Sequence, residues 1–328
     1  MTTTRRSTSK KMHHLPAALS HEGLLGKSRI HAQRALAAKN AGIDDEFQLW
    51  AALALELLAK ASLSAIHPSL IVESENTNSL LEACGVPTGT VVRTIKAQDA
   101  YARLKHTVQH FGTPAFDGCR KLADRRNAEL HSGEAAFGTV PPATWEGPFW
   151  NSAELILDSM SLSLDEWLGV NAKTPKQVLK AMRKAKKDAA LERIKHAIEA
   201  FKKRPDGQKR GKAELEELRV TSQGIRPYAS HEQFHYLLDA YWLGECPACK
   251  CFGVVGGDAT YEGPADDQSD ADDGFEIVES GYNPVEFHCP TCGLALAGEE
   301  ALSAAGMADE HVETTEREIE YGPEYGND

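Results

Sequence analysis

Aromatic residues are scarce, only 7% of the 328, so a core has to be built mainly from Leu, Ala, Ile and Val. No long stretch is purely apolar. The longest, 49–66, is interrupted by Glu56 and Lys60, which argues against a bilayer span and leaves no membrane partner. The opening residues, MTTTRRSTSKKMHH, carry charge without an apolar segment behind it, so no secretory leader is read there. The chain also lacks a Gly-rich phosphate loop, a paired-carboxylate nuclease pattern and a Ser/His/Asp ordering. Cysteine is sparse too. There are seven, an odd number, and four fall into two C-x-x-C pairs. That favours metal over disulfides and points to a reducing cytoplasm.

What is present is ordinary in amount and uneven in place. Hydrophobic residues make up 41% and charged residues 26%, the balance of a globular chain long enough for two or three domains. The formal net charge of −12 hides a separation along the chain. Residues 173–214 hold fifteen Lys or Arg against five Asp or Glu, whereas residues 251–328 hold twenty acids and one base, Arg317.

The periodicity predicts helices. Ser20 can cap a helix that stops near Gly42. DDEFQLWAALALELLAKASLSAIHP follows, opened by acids, apolar around most of its circumference and ended by Pro68, so it belongs at the centre of a bundle. LLEACGVP closes a short segment. A third long helix is expected over roughly 91–111, a fourth from Pro114 to Gly133, and a fifth beginning near Pro148. Nothing from 20 to 170 alternates with period two. Thr174-Pro175 reads as N-cap and first turn of a basic helix through Phe201, broken afterwards by Pro205, Gly207 and Gly211.

The expected fold is therefore mainly α, an antiparallel helical bundle followed by a basic helical arm and a small β ribbon. Its divisions are a disordered tail 1–19, the bundle 20–172, the basic arm or linker 173–240, the ribbon with an acidic insertion 241–305, and an acidic tail 306–328. The arm has two readings. Charge runs on helices usually face water, and Lys176, Lys180, Arg183, Lys184 and Lys187 equally suit contact with RNA phosphates.

Cys246-Pro-Ala-Cys249 and Cys289-Pro-Thr-Cys292 are two knuckles, each turning two thiolates toward one ion. Together they complete a closed tetrahedral site, expected to hold structural zinc. The 39 residues between the pairs exceed finger spacing, and DATYEGPADDQSDADDG accounts for the excess as an acidic flexible loop. Cys251 and His288 adjoin the ligands; either can substitute for one, and the simpler reading makes both bystanders. With no open position, this site offers no zinc chemistry. Cys84 and Cys119 read as buried thiols of the bundle.

The segment Arg125-Arg126-Asn127-Ala128-Glu129-Leu130-His131-Ser132-Gly133 places Arg, Asn and His in the last turns of a helix that a Gly ends. Cations there suit the helix dipole, and Gly is a normal terminator. Arg followed by His at similar spacing also occurs at Arg6/His13, Arg103/His110, Arg125/His131 and Arg226/His231. Only Arg126 is followed by a polar amide and leads to a Gly stop. On those residues, with the helix LWAALALELLAKASLSAIHPSLI, residues 20–170 resemble the HEPN superfamily of prokaryotic toxin and defence ribonucleases.

The resemblance implies metal-independent RNA cleavage at a homodimer interface, in a toxin or anti-phage effector, with an antitoxin or regulatory protein as a further partner. His131 would take the ribose 2′-hydroxyl proton, giving a 2′,3′-cyclic phosphate. Arg126 would hold the phosphate, and Asn127, on the same helical face as His131, would orient the imidazole or touch RNA. Five residues of helix turn about 140°, so Arg126 and His131 do not point at one spot unless the last turn unwinds or a second subunit completes the site. Glu56 and Lys60, four residues apart, read as an ion pair at the bundle rim or as acid and base behind Arg126. Two other readings are a non-catalytic RNA- or protein-binding bundle with the ribbon as adaptor, and a zinc-ribbon regulator docking on transcription or translation machinery.

Overall fold

A computed structural model describes residues 15–203, 206–266, 268 and 274–319. The chain divides into two compact units. One comprises residues up to 111 and 115–178; the other comprises 112–114 and 179 onward.

The first unit is helical. α1 (His21–Asn40) begins where Ser20 accepts a hydrogen bond from the Gly23 N–H at 3.0 Å, the capping expected of Ser. α2 (Asp44–Ile66) follows across Gly42, whose φ of +72° gives the tight reversal. Asp44, Asp45 and Glu46 in its first turn favour the dipole. Small residues let the pair approach closely: Ala32, Ala35 and Ala38 are buried on α1, and Ala51, Ala52, Ala54, Ala59 and Ala61 on α2. α2 is the one described helix long and apolar enough to cross a bilayer, and most of that stretch is buried among its neighbours.

α3 (Thr77–Ala83), α4 (Ala97–Leu104) and α5 (Thr113–His131) come next. α4 is much shorter than the expected 91–111. Residues before it run extended, with Val72 bridging Thr94, and after it the chain turns, His110 adopting φ +61°. α6 (Pro142–Asp158) starts six residues before Pro148, which lies inside it. Pro142 already fills a first-turn position, and burial of Trp145, Phe149 and Trp150 holds the helix through the hydrogen bond that Pro148 cannot make. The few aromatics are concentrated here. Phe47 meets Trp145 at 4.6 Å between ring centroids, Phe149 meets Trp150 at 4.4 Å, and Trp150 meets Trp167 at 6.4 Å. Each such side chain contributes roughly 1.5–3 kcal/mol of burial.

α7 (Leu164–Leu168) carries a capping box between Ser163 and Glu166. α8 (Lys173–Phe201) continues directly from a 3-10 turn over Gly169–Ala172. Thr174 and Pro175 thus lie inside the first turn and do not cap it; Pro is tolerated there because first-turn N–H groups lack helical partners anyway. The segment read as a tail is also partly folded. Leu19 is fully buried and its carbonyl accepts the Ser64 hydroxyl at 2.6 Å, while residues 1–14 lie outside the described residues.

α8 passes into the second unit at residue 179. It is no free arm there: Ala190, Ile194 and Ala197 pack against the core around Val255, Phe287 and Leu296. α9 (Lys212–Ser222) follows, then a 3-10 turn over Pro227–Gln233. The sheet is antiparallel, β1 (Ala240–Glu245), β2 (Phe252–Pro264), β3 (Phe275–His288) and β4 (Ala295–Ala297) in order. After α10 (Glu299–Ala304), β5 (His311–Glu318) pairs with β3.

Two expectations are corrected by this sheet. Residues 258–264, read as the start of a flexible loop, are the end of β2, and Asp258 there is buried and accepts the Thr113 N–H at 2.5 Å and its hydroxyl at 2.7 Å. Part of the supposed acidic tail is β5. Val312, Thr314 and Thr315 give it β-branched character, and Arg317 relieves the acid by bonding Glu262 and Glu276, both at 2.8 Å. The rest of the insertion, 267 and 269–273, and residues 320–328 lie outside the described residues.

Candidate metal centre and a buried charge cluster

In the second unit the β1–β2 turn and the β3–β4 turn each carry one C-x-x-C. They are folded alike. The Lys250 N–H donates to the Cys246 carbonyl at 3.0 Å, and the Gly293 N–H to the Cys289 carbonyl at 2.8 Å. The Cys246 N–H donates to Cys251 and the Cys289 N–H to Leu294, both at 2.8 Å. In both turns the residue after the second cysteine is left-handed, Lys250 at φ +63° and Gly293 at +74°. Gly meets this without strain; Lys250 does so against the usual preference.

The turns converge. Cys246 Sγ lies 3.6 Å from Cys292 Sγ, and Cys249 Sγ 3.5 Å from Cys289 Sγ. All four lie within 4.8 Å of one another. Four thiolates around a tetrahedral ion with metal–sulfur bonds of about 2.3 Å would sit about 3.8 Å apart, so this set can hold a metal ion. Hydrogen bonding among the thiols pulls Cys246 and Cys289 below the ordinary thiol range and pushes Cys249 and Cys292 above it. Cys251 is buried beside them and His288 lies at the end of β3, but neither joins the cluster.

In the first unit three sequence-flagged residues meet. Glu56 on α2 accepts from Lys60 Nζ at 2.8 Å through one oxygen and from Arg126 on α5 at 2.8 Å through the other. Lys60 also donates to Thr94 Oγ1 at 3.2 Å. The side chains are 17%, 8% and 14% exposed for Glu56, Lys60 and Arg126, so this is no rim pair. Burial works to raise the Glu56 carboxyl, and the two cations more than offset it, leaving its pKa below the ordinary value. Fully buried Tyr101 feels the same charges, although burial is what chiefly raises its pKa. Cys119 is a buried thiol as expected, pushed up to about 12 by burial; Cys84, expected buried, is exposed.

His131 is the last residue of α5 and is exposed, as is Asn127. Neither joins the Glu56 cluster. Arg126 shares the core-facing side of α5 with buried Cys119, Leu122 and Ala123, and His131 points about 140° away from it. Within one chain the candidate catalytic pair is therefore divided between interior and surface. Thr94 and Tyr101 were not foreseen near this cluster; they are brought in from distant segments and carry no local pattern.

The five basic residues flagged on α8 have different surroundings. Lys176 pairs with Asp165, and Arg183 stands 4.0 Å from Glu300. Lys180, Lys184 and Lys187 are exposed and form no ion pair with described residues. Their spacing, four then three residues, puts them on one stripe. Searched against protein-family models, curated proteins and solved structures, the chain finds no match.

Proposed function

We propose that this chain is a HEPN-type endoribonuclease whose second unit is clipped by a structural zinc ion at Cys246, Cys249, Cys289 and Cys292. The observation that carries the reading is the state of the Arg126-Asn127…His131 segment. Arg126 is fixed by a carboxylate from another helix, while His131 and Asn127 stay in water at the free end of α5. A positioned guanidinium loses less entropy on engaging a phosphate. An exposed imidazole suits proton abstraction from a ribose hydroxyl.

In this reading the 2′-oxygen gives its proton to His131 and attacks the adjacent phosphorus. The bond to the 5′-oxygen breaks and that oxygen takes a proton from water, to which His131 returns the one it accepted, leaving a 2′,3′-cyclic phosphate and a 5′-hydroxyl end. Arg126 bears the charge that builds on the phosphate oxygens, with Glu56 aligning it and Lys60 balancing Glu56. Because Arg126 and His131 diverge on one helix, a working site draws the two from different subunits of a homodimer. Lys180, Lys184 and Lys187 supply RNA contacts through phosphates. Zinc adds no step; with four thiolates its shell is closed.

The second reading, a non-catalytic RNA-binding bundle, is favoured by one specific observation: Glu56 already neutralises Arg126 within one chain. Cleavage of RNA in EDTA, compared with His131→Ala and with zinc content measured in parallel, separates the two. The nuclease reading expects cyclic-phosphate ends from the wild type and at least a hundredfold loss in the variant. Equal cutting by both, or none by either while RNA still binds, sinks it in favour of the binding reading.

A further inference from the structure

Arg125, the residue before Arg126, is the exception among the half-buried arginines of the described residues. Arg29 donates to the Trp167 and Glu166 carbonyls, and Arg103 to the Leu70 carbonyl. Arg210 bonds Glu214 and the Phe201 carbonyl, Arg183 stands beside Glu300 and Arg126 holds Glu56. Arg125 makes no hydrogen bond or ion pair with any described residue; its Nε is buried without a partner, as is that of Arg126, but unlike Arg126 it has no bond through its other nitrogens either. Burial lowers its pKa with no carboxylate to oppose it.

Its neighbours one turn away are committed elsewhere. The Glu129 carboxylate accepts the Phe137 N–H at 3.1 Å, and Lys121 pairs with Asp117 at 2.6 Å. Withdrawing a guanidinium half out of water without a counter-charge is costly. Such a group is stabilised by a ligand that brings the missing charge. A guanidinium fork matches two oxygens of a phosphate, as it does two oxygens of a carboxylate, and makes two parallel charge-assisted hydrogen bonds to them.

We propose that Arg125 is an oxyanion-binding residue whose ligand is a phosphate group. The phosphate comes from an RNA backbone or is free inorganic phosphate. The first source rests on the RNA function proposed above, and the site itself does not. On α5, Arg125 lies about 100° round the helix from Arg126 and on the opposite flank from His131. It is therefore a separate contact, outside the pair assigned to cleavage.

The test uses the full zinc-loaded chain, with thermal unfolding in sodium phosphate and in sodium chloride of equal ionic strength. Phosphate is expected to raise the melting temperature of the wild type saturably and to leave that of Arg125→Met nearly unmoved, with Arg125→Lys between. In chloride, Arg125→Met is expected to melt no lower than the wild type, because a half-buried unpaired charge has been replaced by an apolar chain. A wild type that does not respond to phosphate overturns the proposal. So does an equal response in both proteins, or a variant that melts lower by the same amount in both buffers. A short unstructured RNA then identifies the source. Binding about tenfold weaker in Arg125→Met assigns the backbone, and unchanged binding assigns free phosphate. No arm reads cleavage, so an inactive His131 leaves the outcome intact.

Discussion

The two polar centres of this chain are assembled in opposite ways. The four cysteines are two local pairs, each made by one tight turn, and a single β-sheet only has to bring the two turns together. The Glu56 cluster has one local pair, Glu56 and Lys60, and otherwise depends on Thr94 and Arg126, 34 and 70 residues away from their partners. The first centre has excess donors that ask for an ion. The second is internally balanced in part, two cations around one carboxylate, and next along α5 stands Arg125, unpaired among the described residues. Local repetition announces a ligand in the sequence itself, whereas charge balance between helices is known only after packing.

That contrast sets the size of the expected effects. Cys289→Ser, or stripping the metal, should act most strongly, because binding energy of about 10 kcal/mol in comparable four-ligand sites is also folding energy. Far-UV circular dichroism and metal analysis should show any bound metal ion lost together with the sheet, while the helical unit keeps its own transition. An unchanged sheet signal in the metal-free protein would show that packing by α8 suffices. Glu56→Ala should come next. It leaves Lys60 and Arg126 buried without their acid, a cost of about 3–5 kcal/mol in denaturant unfolding of the helical unit. Glu56→Gln should cost less, since it keeps acceptor shape. If both variants match the wild type, the cluster contributes nothing to the bundle.

Acid sharpens the same point. The Glu56 pKa is lowered in the folded chain, so its contribution is fully present above the unfolded value of about 4.3 and is lost as pH falls through the lower folded value. The stability gap between wild type and Glu56→Gln should therefore be constant above about pH 5 and close below about pH 4. A gap that persists at lower pH would show that the carboxylate charge is not its source. The smallest effect belongs to the surface. Lys180, Lys184 and Lys187 changed together to Gln should leave both transitions within about 0.5 kcal/mol. They should reduce the salt dependence of single-stranded RNA binding by a slope of about 2, three phosphate contacts at roughly 0.7 each. An unaltered slope removes α8 from the interface.

How far the sequence could be read follows the same division. The cysteine knuckles, the central α2 and the helical character of 20–170 were legible because each rests on a period or spacing of a few residues. Errors came where two local signals competed or where composition masked pattern. Pro148 looked like a start because Pro favours first turns, yet Pro142 held that position and aromatic burial carried the helix past the second proline. β5 was hidden by its acids, though Val312, Thr314 and Thr315 stand among them and Arg317 ties it to β2 and β3. α8 looked like a free basic arm because lysines dominate its composition, while Ala190, Ile194 and Ala197 quietly supply a packing face.

What the sequence determined by itself is the pair of cysteine-bearing turns and the helical character of 20–170, since both depend on backbone preferences and neighbours within one or two turns. Tertiary structure alone decided which charges are neutralised. Glu56 chose Arg126 over its neighbour Arg125 because one residue along a helix is a rotation of about 100°, and only the packing of α2 against α5 fixes which of the two guanidiniums faces the acid.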